Sequence, residues 1–156
     1  SVPGIYAAGD VNESVDFSTG KRIINAIQPN ASEQALIAAT NMAGGNAVSK
    51  GSLQINVLDT LGLISTSFGQ WWGADKNPEH VELMDEAQFK YLRLEFDGDY
   101  LIGATSLGMT DHVGALRGLI QTRAPLGHWK QTLLKDPTRI MEAYIATVQS
   151  QDSWLN

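Results

Sequence analysis

The residues best suited to chemistry lie near the amino terminus. Ile5-Tyr6-Ala7-Ala8 is a short apolar run that follows the turn residues Pro3-Gly4 and ends in Gly9-Asp10. A carboxylate just past a buried strand, beside a glycine that lets backbone approach closely, can accept a hydrogen bond from a ligand hydroxyl. Further along, Pro29-Asn30-Ala31-Ser32-Glu33 opens a helix, with Asn30 as its N-cap and Glu33 at the capping-box position. Free N–H groups and the positive dipole end, expected at Ala31 to Gln34, can face negative charge.

Other reactive side chains form no such pattern. His80, His112 and His128 are far apart and lack neighbouring ligands, so they read as surface or structural residues rather than a metal site. Ser65-Thr66-Ser67 lacks the glycine-flanked elbow of a hydrolase nucleophile. There is no cysteine, hence no disulfide, thiolate ligand or redox pair in these residues. No Gly-x-Gly-x-x-Gly follows a strand, so a dinucleotide pyrophosphate has no turn to sit on. Trp71-Trp72 could shield a cofactor or meet a partner, but the expected place for it is the core of the second domain.

These residues need elements to hold them. With 156 residues and 43% apolar content, the chain can bury one core, or one domain plus part of another. A net charge of −6 without a basic cluster argues against nucleic acid and anionic membranes. No apolar run is long enough to span a bilayer, and cytoplasmic placement is the default expectation.

The pattern predicts a buried strand at 5–8, a connection from Val11 to Gln28 with a reversal at Thr19-Gly20-Lys21, and a helix ending at Gly44-Gly45. Strands follow at Leu53 to Leu58 and Leu63 to Phe68. Phe89 to Phe96 and Tyr100 to Ser106 flank Asp97-Gly98 as a hairpin, a loop is expected at Asp75 to Glu79, and helices at Asp111 to Gln121 and from Asp136-Pro137 onward. The fold class is α+β, divided at 1–50 and 51–156.

Gly4-Ile5-Tyr6-Ala7-Ala8-Gly9-Asp10 resembles the second flavin motif of the pyridine nucleotide-disulfide oxidoreductase superfamily, and Pro29 to Ala35 running into Asn41-Met42-Ala43-Gly44 resembles the helix after it in the NADH oxidase, nitrite reductase and rubredoxin reductase branches. Residues 51–65 are more loosely similar to the start of their carboxy-terminal domain, and Leu101 to Ala104 to its later part.

The resemblance implies that residues 1–50 are a strand-and-helix fragment of a Rossmann-type FAD-binding domain and that 51–156 form a small antiparallel meander with packed helices, of the interface or dimerisation type. It implies cofactor contacts at Gly9 and Asp10 (ribityl) and at the backbone of Ser32 and Glu33 (the pyrimidine edge of the flavin), with the Glu33 side chain expected to cap its own helix. It further implies an FAD site that is incomplete in this chain, NAD(P)H held by an upstream domain, and electron transfer from nicotinamide through flavin to an acceptor. The implied partners are upstream FAD and NAD(P)H domains, a second copy and a redox protein. A non-catalytic interaction or dimerisation module is the alternative.

Overall fold

The computed structural model describes residues 2–76 and 78–152, with side chains placed to 147. Contacts divide the chain into two compact units, Ser1–Ile55 and Asn56–Asn156. The division lies a few residues beyond the expected 50/51 boundary, because Ser52 and Leu53 are buried within the first unit.

In the first unit, a 3-10 turn at Gly9–Val11 precedes the two-stranded antiparallel pair β1 (Ser14–Val15) and β2 (Arg22–Ile23). Helix α1 (Gln28–Met42) follows. The strand expected at 5–8 does not form. A strand is buried only between neighbours, and these residues pair with none among those described; Ile5 is 71% exposed. The connection expected from Val11 to Gln28 instead contains the β1/β2 hairpin. Its reversal is organised by the buried Asp16, whose carboxylate accepts from Ser18 N–H (3.1 Å), Thr19 hydroxyl (2.5 Å) and Gln54 Nε2 (3.0 Å).

Asn30 is not the N-cap of α1. The helix begins earlier, with Ile27 at the cap and no side-chain hydrogen bond there, and Pro29 occupies its first turn. At the other end Gly44, at φ 86°, closes a Schellman motif, with Gly45 N–H on Thr40 O (2.9 Å) and Gly44 N–H on Asn41 O (3.1 Å).

The second unit holds most of the buried apolar side chains. Strands β3 (Ile55–Thr60), β4 (Leu63–Gly69), β5 (Glu79–Asp85), β6 (Lys90–Asp97) and β7 (Tyr100–Leu107) form a five-stranded sheet in the order β3-β4-β7-β6-β5. Alternation places Leu92, Leu94 and Phe96 of β6 with Ala104 of β7 and Phe68 of β4 on the inner face. Against that face lie α2 (Val113–Thr122), α3 (His128–Lys135) and α4 (Ile140–Asp152), which bury Leu116, Leu119, Ile120, Leu133, Ile140 and Ala143. The α+β class expected from the sequence is the architecture observed.

The β6/β7 hairpin turns at Gly98-Asp99, since Asp97 pairs with Tyr100. Gly98 takes the positive φ (56°) at the first loop position, as a type II′ turn requires. Farther along, Glu95 pairs with Gly103 but Phe96 with Leu101, which leaves Ile102 as a bulge residue whose carbonyl accepts from Gln70 N–H (2.9 Å).

Asp136 starts the final helical segment as expected, through a 3-10 turn at Pro137–Arg139 that runs into α4. Its carboxylate accepts from Thr138 N–H (3.1 Å) and Thr138 hydroxyl (2.6 Å). Those bonds, the hydroxyl's first, hold Asp136 below the usual carboxylate range. Asp136→Ala is expected to cost the second unit about 1 kcal/mol at neutral pH. With a depressed folded-state value, the stabilisation is present above the ordinary carboxylate pKa and lost as pH falls through the lowered one. Urea unfolding of both proteins at neutral pH and in mild acid checks this; a gap that widens on acidification would contradict it.

Candidate functional site

In the first unit the Gly9-Asp10 turn is held against α1. Gly9 lies at φ 81°, and a Cβ built there would sit 3.5 Å from the Ala31 side chain in the first turn of the helix. Asp10 is exposed. Ser32 and Glu33 are exposed on α1, but their N–H groups are not the free ones expected, because Ala31 N–H already donates to Ile27 O (3.1 Å). The earlier start moves the donors without an intrahelical acceptor to Gln28 and Asn30. The structure therefore brings the Gly9-Asp10 turn against the first turns of α1 and shifts the positive end of that helix by one turn.

The inner face of α1 is lined by amides. Asn30 is buried and donates to Leu53 O (2.9 Å). Gln34 Oε1 accepts from Gly9 N–H (2.8 Å) and Asn12 Nδ2 (3.5 Å), while Gln34 Nε2 donates to Ser52 Oγ (3.1 Å). Asn41 exchanges two bonds with Ala47, donating to its carbonyl (2.9 Å) and accepting from its N–H (2.8 Å). The opposite face carries Leu36 and Met42, each 70% exposed. Sequence reasoning took the apolar residues as the packed face and missed Gln34. The recurrence of Asn30, Gln34 and Asn41 at helical spacing was the available signal. A cleft of about 260 Å³ opens beside this face, with Tyr6, Glu13, Ile37 and Ser49 among its lining residues.

The second unit offers a different arrangement on the outer face of its sheet. Tyr91 OH donates to Glu82 (3.0 Å), and Arg93 Nε donates to Glu95 (2.5 Å). Burial first, and then the bond to Glu82, raise the Tyr91 phenol above its ordinary range; the bond to Glu95 raises the Arg93 guanidinium. Glu95 is 1% exposed and lies under the Trp71-Trp72-Gly73 turn, where a Cβ on Gly73 would stand 3.0 Å from its Oε2. Contrary to expectation, the tryptophans are not in the core. They form an edge-to-face pair with ring centroids 5.1 Å apart, and Trp72 is 51% exposed, because the chain crosses directly over Gly103 and leaves no depth beneath it.

His80, His112 and His128 are exposed, and among the described residues no group of three metal-ligating side chains converges. No described helix is long and apolar enough to cross a membrane.

No family model and no curated protein matches the sequence. Solved structures do. The chain is similar to an NAD-dependent persulfide reductase from A. fulgidus, with 22% identity and a TM-score of 0.69 over 82% of this chain and 27% of that one. It is similar to an FAD-dependent pyridine nucleotide-disulphide oxidoreductase from Desulfovibrio vulgaris, with 16% identity and a TM-score of 0.66 over 94% of this chain and 38% of that one. It is also similar to a chain of the covalent putidaredoxin reductase-putidaredoxin complex, with 19% identity and a TM-score of 0.71 over 92% of this chain and 33% of that one. The chain thus shares the fold of one portion of the pyridine nucleotide-disulfide oxidoreductases, spanning 27% to 38% of the length of these three.

Proposed function

We propose that this chain is the carboxy-terminal part of an FAD-dependent NAD(P)H oxidoreductase, carrying the end of the flavin domain and the small domain after it. The observation that supports this best is the Gly9-Asp10 turn, held against the first turns of α1 with the Asp10 carboxylate open to solvent. The residues present fit part of a flavin. Asp10 would accept from a ribityl hydroxyl, and the N–H of the exposed Gln28, with the positive end of α1, would face the electron-rich pyrimidine edge. Gly9 suits the turn that presents Asp10 because its φ of 81° is a conformation side chains disfavour. When bound, the flavin supplies the redox chemistry; these residues bind it, orient it and favour its negative charge.

No glycine-rich turn for a pyrophosphate exists among these residues, so the nucleotide halves of FAD and NAD(P)H belong to an upstream region in this reading. The exposed apolar residues of the first unit, Val2, Ile5, Tyr6, Leu36 and Met42, are what an upstream domain would cover. A small redox protein is one candidate acceptor, since a structural relative is a reductase joined covalently to putidaredoxin. A cytoplasmic location belongs to the same proposal.

Asp10→Ala in the intact protein is expected to raise the FAD dissociation constant about tenfold to a hundredfold, the worth of one charge-assisted hydrogen bond. The melting of the small domain should not move. The chain of 156 residues alone should purify colourless and leave NADH unoxidised. An unchanged dissociation constant in the variant would remove the ribityl assignment, and stoichiometric FAD on the short chain would show that its flavin site is complete.

The module reading draws on the same exposed apolar residues, which a second copy could also cover. It predicts no flavin binding by the intact protein.

A further inference from the structure

We propose that Gln34 is a positioning residue for the Asp10 carboxylate, acting as a two-sided clamp. This rests on the flavin reading above and gives a role at that site to a residue outside the Gly4 to Asp10 stretch.

The turn that presents Asp10 runs from Gly9 to Asn12 and is closed by Asn12 N–H on Gly9 O (3.0 Å). A single atom, Gln34 Oε1, receives bonds from both ends of it: Gly9 N–H at 2.8 Å and Asn12 Nδ2 at 3.5 Å. Asp10 lies between the two points of attachment. Because Gly9 N–H can only donate, it fixes which end of the carboxamide is oxygen and leaves Nε2 for Ser52 Oγ (3.1 Å).

Ser52 is a firm anchor. It is buried, its N–H donates to Val15 O (2.8 Å), and its carbonyl accepts from Phe17 N–H (3.0 Å). Only a carboxamide of this length both accepts from the turn and donates to the serine. A carboxylate loses the donation, and a methionine loses both. The clamp fixes the backbone on both sides of Asp10, so a ligand that binds the carboxylate has only the side chain left to order.

A double-mutant cycle in the intact protein tests this, with FAD dissociation constants as the readout. Gln34→Met is expected to raise the constant about threefold to tenfold, the range for one ordinary hydrogen bond. Ser52→Ala, which unties the amide but keeps its contact with Gly9, should raise it less. In an Asp10→Ala background, Gln34→Met should have no further effect, since the group it positions is gone. Faster exchange of the Gly9 amide with solvent in the Gln34→Met protein is the accompanying structural signature.

Equal effects of Gln34→Met with and without Asp10 would overturn the proposal, because the amide would then be acting elsewhere. So would an unchanged constant in Gln34→Met while Asp10→Ala weakens binding. If Asp10→Ala itself changes nothing, the flavin reading has failed, an outcome separable from the other two. Should Gln34→Met fold poorly, Ser52→Ala carries the same cycle, and additivity there overturns the proposal equally.

Discussion

Replacing Phe96 with Ala is expected to destabilise the second unit by about 3–5 kcal/mol, the usual range for emptying a phenyl ring from a core. Phe96 is fully buried at the bulged end of β6, where it continues the inward row of Leu92 and Leu94. Removing the ring leaves a cavity that a sheet held on both sides cannot close, because β5 and β7 pair with β6 along its length. The ring also lies 5.9 Å beneath the Lys130 ammonium. That ammonium donates to Glu79 and to Gly98 O at 2.5 Å each, so the phenyl forms the floor of the contact joining α3 to the β6/β7 turn. Urea unfolding followed by circular dichroism measures the effect. A midpoint within error of wild type would mean the ring is not part of the core described.

Gly103→Ala is expected to cost at least about 3 kcal/mol, the upper end of the overpacking range, although it adds one methyl group. A Cβ there would lie 2.2 Å from Gln70 O and 2.7 Å from Trp71 N, and backbone cannot rotate aside as a side chain can. The strands would have to part or the Trp71-Trp72 turn would have to lift. Gly114→Ala is the matched control. No atom lies within 4 Å of its added methyl, and it sits in the first turn of α2, where alanine is favoured over glycine by at most about 1 kcal/mol. The two substitutions should therefore move stability in opposite directions, with a change in tryptophan fluorescence for Gly103→Ala. Equal midpoints for both variants would show that the crossing over Gly103 is not close.

Where sequence and structure agree, the pattern was local. Leu92, Leu94 and Phe96 alternate with Arg93 and Glu95 beside an Asp-Gly turn signal, and the hairpin is there, one residue later than the turn signal placed it. The β5 strand was missed although Val81 and Leu83 alternate with His80, Glu82 and Met84, because Pro78 and the surrounding charges read as loop. Helix α3 was too short to show a period. The apolar run at 5–8 was over-read, since strand formation depends on neighbours that local sequence does not describe.

At the site, Gly9 and Asp10 were singled out by the resemblance of residues 4–10 to a flavin motif, and their role as flavin contacts is a proposal. Asn30 fitted a capping box by type and spacing, yet tertiary contact with Leu53 O decided its place. Gln34 shared a helical spacing with Asn30 and Asn41, but its partners were not legible for the same reason. An amide's role lies in what it touches, and Ser52 is distant from it in sequence.

The uneven distribution of burial has a thermal consequence. Among the described residues the first unit contributes only Leu53 and Ile55 to the buried apolar side chains, and relies on amides and the Asp16 carboxylate for the rest. Heat-capacity increments on unfolding follow apolar exposure, so most of the increment should come from residues 56 onward. The amino-terminal unit would open with a small heat-capacity step, ahead of the main transition. A calorimetric enthalpy differing from the van't Hoff value is the mark of such a chain, and no single melting temperature describes it.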